Sequence, residues 1–275
     1  MKYQITASIV AYQSEPLEII EAARSFLQSS IKDSLLIIID HSANDSLRVH
    51  FEISEHVQYF HHPENRGFGA GHNIAIRKIW NDSPFHLILN PDVSFEQVVL
   101  STLVEYMQVN PATALVMPKI VDNKGNLQYL AKLIPHPADL LFKRFLPKAI
   151  ANSRLQKFQL KFTDYQQPMN VPYLSGCFML LRTAALHTVG LFDERFFMYP
   201  EDMDLTRRLH DQYDTMYYPY VQIVHRHEAS SYKSFKMFTI HLFNLVKYFN
   251  KWGWFFDSKR KRINTKVLET LRYKG

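Results

Sequence analysis

Three short stretches carry side chains that can do chemistry. Asn90-Pro91-Asp92 ends the apolar run His86-Leu87-Ile88-Leu89. One carboxylate at a strand tip meets much of the demand of a Mg²⁺-like cation, which takes one or two carboxylates and fills its shell with phosphate and water oxygens. Glu201-Asp202 follows the aromatic run Phe196-Phe197-Met198-Tyr199. A carboxylate between apolar walls can take a proton from an attacking hydroxyl. His225-Arg226-His227 closes a predicted strand. Imidazole can ligate the metal, and Arg or protonated His can neutralise a leaving diphosphate. Each stretch also has a plainer reading: a turn or N-cap for Asp92, helix-dipole capping for Glu201 and Asp202, polar lining for the histidines.

Asn65-Arg66-Gly67-Phe68-Gly69-Ala70-Gly71-His72-Asn73 reads as a glycine-rich turn that lets a ligand approach the backbone, or as a tight turn with close helix packing. It is neither a dinucleotide fingerprint nor a P-loop. It follows the third predicted strand instead of the first, Asp40 precedes it, and no Lys-Ser/Thr ending is present. Asp40, in Ile39-Asp40-His41-Ser42-Ala43-Asn44-Asp45, can accept from a base or ribose, or form an Asx turn. Asp45 reads as turn chemistry, and Asp193, Glu194 and Asp204 as structural or solvated.

The elements that must position these groups alternate. Strands are predicted at 5–12, 35–39, 57–60 and 85–89, and helices from 16 with Ser14 as N-cap, over 70–80 and over 95–109. The strands are short and continuously apolar, as parallel strands covered on both faces are. The order defines an α/β half over 1–110, whose ligands gather at the carboxyl ends of the strands. Asp40, the glycine turn and Asp92 all fall at such ends. Further on, the pattern predicts a strand at 114–121, a turn at 123–126, a strand over 171–181, a short helix ending at Gly190, a helix over 201–210 and a strand over 216–224. Residues 131–169 show no clean period; a short helix over 140–146 is the one element suggested there.

The chain has 275 residues, 47% of them hydrophobic, and one cysteine, Cys177. No intrachain disulfide can form, which agrees with a reducing compartment. The N-terminus reads as a first strand and not as a signal peptide, and no apolar run reaches the roughly 18 residues of a membrane span. The net charge of +6 is concentrated at the end: from Ser231 onward eleven Lys or Arg face only Asp257 and Glu269. The near-neutral remainder argues against an extended nucleic-acid surface. In the tail, Phe235, Phe238, Leu242, Leu245, Phe249 and Trp252 form a helical stripe with Lys236, Lys247 and Lys251 off it. Such a stripe packs on its own domain, on a second copy of the chain in a homodimer, or on an anionic membrane surface.

Taken jointly and in this order, the strand with Ala11-Tyr12, Asp40 to Asp45, Glu64 to Asn73, Leu89-Asn90-Pro91-Asp92-Val93, Ser175-Gly176-Cys177-Phe178-Met179 and Gly190 to Arg208 make the chain resemble the inverting family 2 glycosyltransferases of the GT-A fold, particularly bacterial rhamnosyltransferase-like members. The resemblance covers about residues 3–230. It implies a GT-A domain over 1–230, with a nucleotide-binding half at 1–110 and an acceptor half at 111–230, followed by a basic amphipathic helical tail at 231–275. By resemblance Asp40 contacts the nucleotide base. Ala11, Tyr12, Asn65, Gly67, Asn73, Asn90 and Arg226 line the nucleotide-diphosphate site. Asp92, with His225 or His227 nearby, holds Mg²⁺ or Mn²⁺. Asp202 is the catalytic base with Glu201 supporting it. Two positions depart from the family pattern: Asn90 replaces the first Asp of Asp-x-Asp, and His41 stands where Asn or Asp is usual.

The implied reaction is inverting transfer of a sugar, L-rhamnose from dTDP-rhamnose before galactofuranose, GlcNAc, glucose or galactose donors. The implied acceptor is a lipid-linked saccharide for surface polysaccharide such as O-antigen, met at the cytoplasmic face of the inner membrane. Two other classes compete. A nucleotidyltransferase is expected to carry a glycine- and arginine-rich loop after strand one, and Tyr12-Gln13-Ser14-Glu15 has neither. A non-catalytic saccharide-binding protein is separated by any turnover of a nucleotide sugar.

Overall fold

A computed structural model describes residues 1–51, 56–140, 147–226 and 235–273. The first half lays down β1 (Ile5–Ala11), α1 (Pro16–Leu27), β2 (Ser34–Asp40), β3 (Val57–His61), α2 (Phe68–Lys78), β4 (Phe85–Leu89), β5 (Val93–Phe95) and α3 (Gln97–Val109). Strands β3, β2, β1 and β4 run parallel in that order. β2 shows why its sequence is a continuous apolar run. Leu36 and Ile38 point into the core shared with α1 and α3, whereas Leu35, Ile37 and Ile39 point to the opposite face, under Ala75 and Ile79 of the α2 region. Both faces are dry, so no alternation survives. Each such side chain contributes about 1.5–3 kcal/mol when fully buried.

The second half extends the same sheet with mixed polarity. Next come β6 (Thr113–Val121), β7 (Ala131–Lys132), α4 (Pro137–Leu140), α5 (Lys148–Phe158), β8 (Met169–Asn170), β9 (Tyr173–Leu174), β10 (Phe178–Arg182), α6 (Thr183–Val189), α7 (Pro200–His210), β11 (Asp214–His225), α8 (Phe235–Trp252) and α9 (Ser258–Thr270). β10 inserts antiparallel between β4 and β6, β11 runs parallel to β6, and β5 and β8 add antiparallel to β11. β7 and β9 form a separate two-stranded ribbon.

Several expectations change. Ser14 is not the N-cap of α1. Glu15 holds that position without a side-chain cap, and Pro16, lacking an N–H, starts the helix unaided. α2 begins at Phe68, so Gly69 and Gly71 lie inside the helix, and α3 begins at Gln97 because Val93–Phe95 pairs with β11 as a strand. The run 171–181 breaks into β9 and β10 around the turn at 175–177, where β9 leaves the main sheet to pair with β7. Residues 131–169 hold β7, α4, α5 and β8 in place of the aperiodic segment expected. The suggested helix over 140–146 falls almost wholly outside the described residues.

The tail stripe divides. Asn244, Leu245, Tyr248 and Phe249 are buried against the domain, while Phe238, Leu242 and Phe243 remain exposed. Three contacts fasten the tail to α7: Trp252 Nε1 donates to Asp204 (2.7 Å), Lys251 pairs with Asp204 (2.6 Å), and Asp257 pairs with the fully buried Arg207 (2.8 Å). The Arg207 guanidinium also stacks on Trp252, 4.0 Å from the ring centre.

Candidate active site

A cavity of about 450 Å³ opens at the carboxyl ends of β1 and β4. Its walls include Tyr12, Asn65, Gly67, Asn90, Asp92, His225, Glu201 and Asp202, so eight of the expected site residues share one space.

Asp92 lies in the tight turn between β4 and β5. β5 pairs with β11 through Val93 and His225, and the Arg226 N–H donates to the Asp92 carbonyl (3.0 Å). Sheet register therefore delivers His225 beside Asp92, with Nε2 3.4 Å from the carboxylate. Gln128 holds the imidazole from behind: its side-chain carbonyl pairs with Nδ1 (2.9 Å), and its amide donates to the His225 carbonyl (2.8 Å). A proton on Nδ1, donated to Gln128, turns the Nε2 lone pair toward Asp92, as a hydrogen bond from the far ring nitrogen does for metal-ligating histidines. The buried Asn90 Oδ1 has no hydrogen-bond partner among the described residues. Carboxylate, imidazole and an orphaned amide oxygen fit a hard divalent cation that draws its remaining ligands from phosphate and water. Gln128 was not foreseen; a lone Gln two residues past a turn gives no signal.

Glu201 and Asp202 form the first turn of α7, started by Pro200. Tyr199 precedes it with φ 90°, a conformation rare outside glycine that marks a locally strained entry. Asp202 accepts from the Gly176 N–H (2.8 Å) and the Met203 N–H (2.7 Å). Gly176 has little room for a side chain, since a Cβ there would lie 3.0 Å from Cβ of Asp202. Burial raises the pKa of both acids; the Asp202 charge raises Glu201 further, whereas the Gly176 N–H and then the Lys132 ammonium pull Asp202 back down. The two therefore separate, Glu201 holding its proton longer and Asp202 ionising first, as an acid–base site requires. The Glu201 Oε2 atom is buried without a partner among the described residues. Lys132 was also missed. It lies in the stretch without periodicity, half-buried on β7, 4.9 Å above the ring of Tyr173, which itself lines the cavity. Burial lowers its pKa, opposed by Asp202. Burial pushes the Cys177 thiol up to about 12, so it stays a neutral lining group.

Other expected residues stand outside the cavity wall. The Asp40 carboxylate is buried, accepting from the Ser42 N–H (2.8 Å) and the Tyr59 hydroxyl; for a base to reach it, Tyr59 must turn away. His41 is buried too, its Nδ1 2.6 Å from the His62 carbonyl. Asn73 clamps the loop before α7, donating to the Phe192 carbonyl and Glu194 (both 2.9 Å) and accepting from the Phe192 N–H (3.0 Å). Ala11 is fully buried in β1, with its carbonyl accepting from the His41 N–H. Arg226 pairs with Glu21 on α1. His227 lies outside the described residues. Of the three glycines only Gly67 borders the cavity. A Cβ on Gly69 would meet Phe192, and one on Gly71 would meet Val10 and His41, so these two serve helix packing and not ligand approach. Asp45 pairs with Arg48, Glu194 with Arg77, and Asp193 and Asp204 with Lys251, all in structural roles.

Asp92 and the buried pair Glu201 and Asp202 thus line one cavity at the carboxyl edge of an α/β sheet. The sequence profile described as Glycosyl transferase family 2 matches residues 6–190, and the chain belongs to that family. An N-acetylglucosaminyl-diphospho-decaprenol L-rhamnosyltransferase of Mycobacterium tuberculosis is 28% identical over 182 residues, 61% of this chain and 57% of that protein. The rhamnosyltransferase WbbL of Escherichia coli is 28% identical over 191 residues, 66% of this chain and 69% of that protein. The match thus spans little more than half the length of the mycobacterial relative. Among solved structures, GalNAc-T7 with UDP, GalNAc and Mn²⁺ superposes with a TM-score of 0.60 at 14% identity, covering 81% of this chain and 44% of that one. S. aureus TarS gives 0.60 at 14% identity over 96% and 43%. The fold is GT-A.

Proposed function

We propose that the enzyme transfers L-rhamnose from dTDP-rhamnose, with inversion, to a hydroxyl of a lipid-linked saccharide used in surface polysaccharide synthesis. The observation that carries the reaction type is the shared cavity: Asp92 and Asp202 line one space with Tyr12, Asn65 and Gly67. The two rhamnosyltransferase relatives support the sugar.

Asp202, held by two backbone N–H groups, takes the proton of the acceptor hydroxyl as its oxygen attacks the anomeric carbon from the face opposite the diphosphate. Glu201, protonated beside it, keeps a second negative charge away from the nucleophile. Asp92, His225 and the Asn90 amide oxygen would hold a divalent cation, Mg²⁺ or Mn²⁺, which when bound stabilises charge on the departing diphosphate. Most of the rate comes from positioning and electrostatic stabilisation.

Asp202→Asn is expected to abolish transfer while dTDP binding, followed by calorimetry, is unchanged; near-normal turnover would falsify the base assignment. A panel of dTDP-, UDP- and GDP-sugars, each with Mg²⁺, Mn²⁺ or EDTA, is expected to release nucleotide fastest with dTDP-rhamnose and only with metal. Faster release from another donor removes the rhamnose reading, and full activity in EDTA removes the metal.

No helix among the described residues is long and apolar enough to cross a membrane. The exposed Phe238, Leu242, Phe243, Phe255 and Phe256, with the basic α9 following, suit a peripheral contact with an anionic surface on the acceptor's side of the membrane. Failure to pellet with anionic vesicles at low salt removes this contact.

A further inference from the structure

A second cavity, of about 730 Å³, lies between residues 133–139, α5 and α9 and is larger than the catalytic one. Nothing in the reaction described so far uses it. Its wall is amphipathic. Leu133, Phe158 and Leu268 supply apolar surface, and Phe255 and Phe256 stand at its rim, Phe256 99% exposed.

The charges there do not balance. Asp139 is taken by Arg154 at 2.8 Å, and Asp257 by Arg207 at 2.8 Å with Arg260 close by at 3.9 Å. Arg260 spends its remaining donors on the Pro135, Trp254 and Phe255 carbonyls. Lys157 and Lys261 also line the cavity, and neither has a carboxylate partner among the described residues. Both are solvent-exposed, and Lys157 also lies 4.8 Å from the ring of Tyr273; two ammonium groups without carboxylate partners beside an apolar floor suit a ligand with a compact polyanionic head and a hydrocarbon chain.

The cavity is also next to the chemistry. Leu133 follows Lys132 directly, and Lys132 stands over Tyr173 in the catalytic wall. Asn264 of α9 fixes this junction by donating to the Ile134 carbonyl (2.8 Å) and accepting from the Ile134 N–H (3.0 Å). β7 thus touches Tyr173 of the first wall through Lys132 and leads directly into Leu133 of the second. The donor diphosphate belongs at Asp92, so this second cationic site serves a different anion.

We propose that the cavity between residues 133–139, α5 and α9 binds the diphosphate and first isoprenoid units of the acceptor lipid, placing the acceptor sugar in the catalytic cavity. The proposal rests on the reading of a lipid-linked acceptor given above, and it names which part of the chain holds the lipid.

The test is calorimetric binding of farnesyl diphosphate to the full chain in the presence of saturating dTDP. It is repeated with Lys157→Glu/Lys261→Glu after circular dichroism shows that the variant is folded. Farnesyl diphosphate is expected to bind with dTDP present, and the double variant to bind it about tenfold more weakly or worse, the loss of at least one charge-assisted hydrogen bond, with dTDP affinity unchanged. Inorganic diphosphate and farnesol are each expected to bind more weakly than the intact amphiphile. Displacement of farnesyl diphosphate by dTDP, or indifference to the double variant, overturns the proposal. A variant that loses only its affinity for phosphatidylglycerol vesicles overturns it too, and assigns the lysines to lipid headgroups. Glycosyl transfer is not the readout, so the proposal can fail while the donor assignment stands, and the reverse.

Discussion

Replacing Gly67 by alanine tests whether the glycine turn positions the catalytic helix. Gly67 has φ 100°, and a Cβ there would lie 2.1 Å from the Phe197 carbonyl oxygen, where ordinary contact begins at 3.4 Å. The segment 196–199 must retreat by about 1.3 Å, the difference between the two. It cannot do so freely, because the same carbonyl accepts the Phe68 N–H at 3.0 Å and the chain enters α7 three residues later. Positive-φ strain of about 1–3 kcal/mol and overpacking of about 1–3 kcal/mol together predict a loss of roughly 2–6 kcal/mol. A displacement on the order of 1 Å at Glu201 and Asp202 predicts a fall in kcat of about a hundredfold. Gly125→Ala is the control. Its φ is 79° but nothing lies within 4 Å, so only strain of about 1–2 kcal/mol is expected, with unchanged turnover. Urea unfolding and nucleotide-release kinetics on both variants decide. If Gly67→Ala unfolds with Gly125→Ala and keeps kcat within about twofold of wild type, the turn does not position the helix.

Three further outcomes follow from the same geometry. Lys132→Met removes the cation that lowers the pKa of Asp202, so the acidic limb of the kcat/KM profile is expected to move to higher pH; an unmoved limb removes Lys132 from the electrostatics of the base. Glu201 has a folded-state pKa raised by burial and by Asp202, so folding favours its protonated form. The cost of ionising it is absent below the unfolded range near about pH 4.5 and grows as pH rises through the folded value. Glu201→Gln is therefore expected to melt higher than wild type at alkaline pH, the gap closing toward acid; a gap that widens on acidification contradicts the sign. Asp257→Ala leaves the buried Arg207 charge without its carboxylate and is expected to cost about 3–5 kcal/mol in chemical denaturation, whereas a loss below about 1 kcal/mol would show the pair to be dispensable.

How much of this was legible in the sequence depended on the range of the forces involved. β2 and β4 announce themselves because a strand dry on both faces must be apolar throughout. The tips of β2, β3 and β4 read as a site edge because Asp40, the glycine turn and Asp92 fall at or just beyond them; Asn65, Gly67 and Asp92 do line the cavity, whereas Asp40 does not. Asp92 and Glu201-Asp202, 110 residues apart in the chain, come together only through β10 inserting between β4 and β6, and no local pattern encodes that insertion. Local readings failed where tertiary contact replaced local preference. Phe95 reads as a helix start but pairs with β11, and Gly69 reads as part of a turn yet is a helical residue kept small by Phe192. Asp40 and Asn73 carry ligand-binding side-chain types but point inward, a matter of rotamer and partner that composition does not record. Lys132, Gln128 and α5 escaped because each is defined by what it touches.

The struts between α7 and the tail bear on where this enzyme can be divided. The matched family region stops at residue 190, before Asp202, the proposed proton acceptor. The groups steadying that acceptor's helix lie further still, at Lys251, Trp252 and Asp257. A chimaera spliced at the family boundary would keep Asp92 but leave the proposed base, its scaffolding and His225, the neighbour of Asp92, on the discarded piece. Exchange of this site between relatives must therefore carry α7, β11 and the tail together and cannot stop at residue 190.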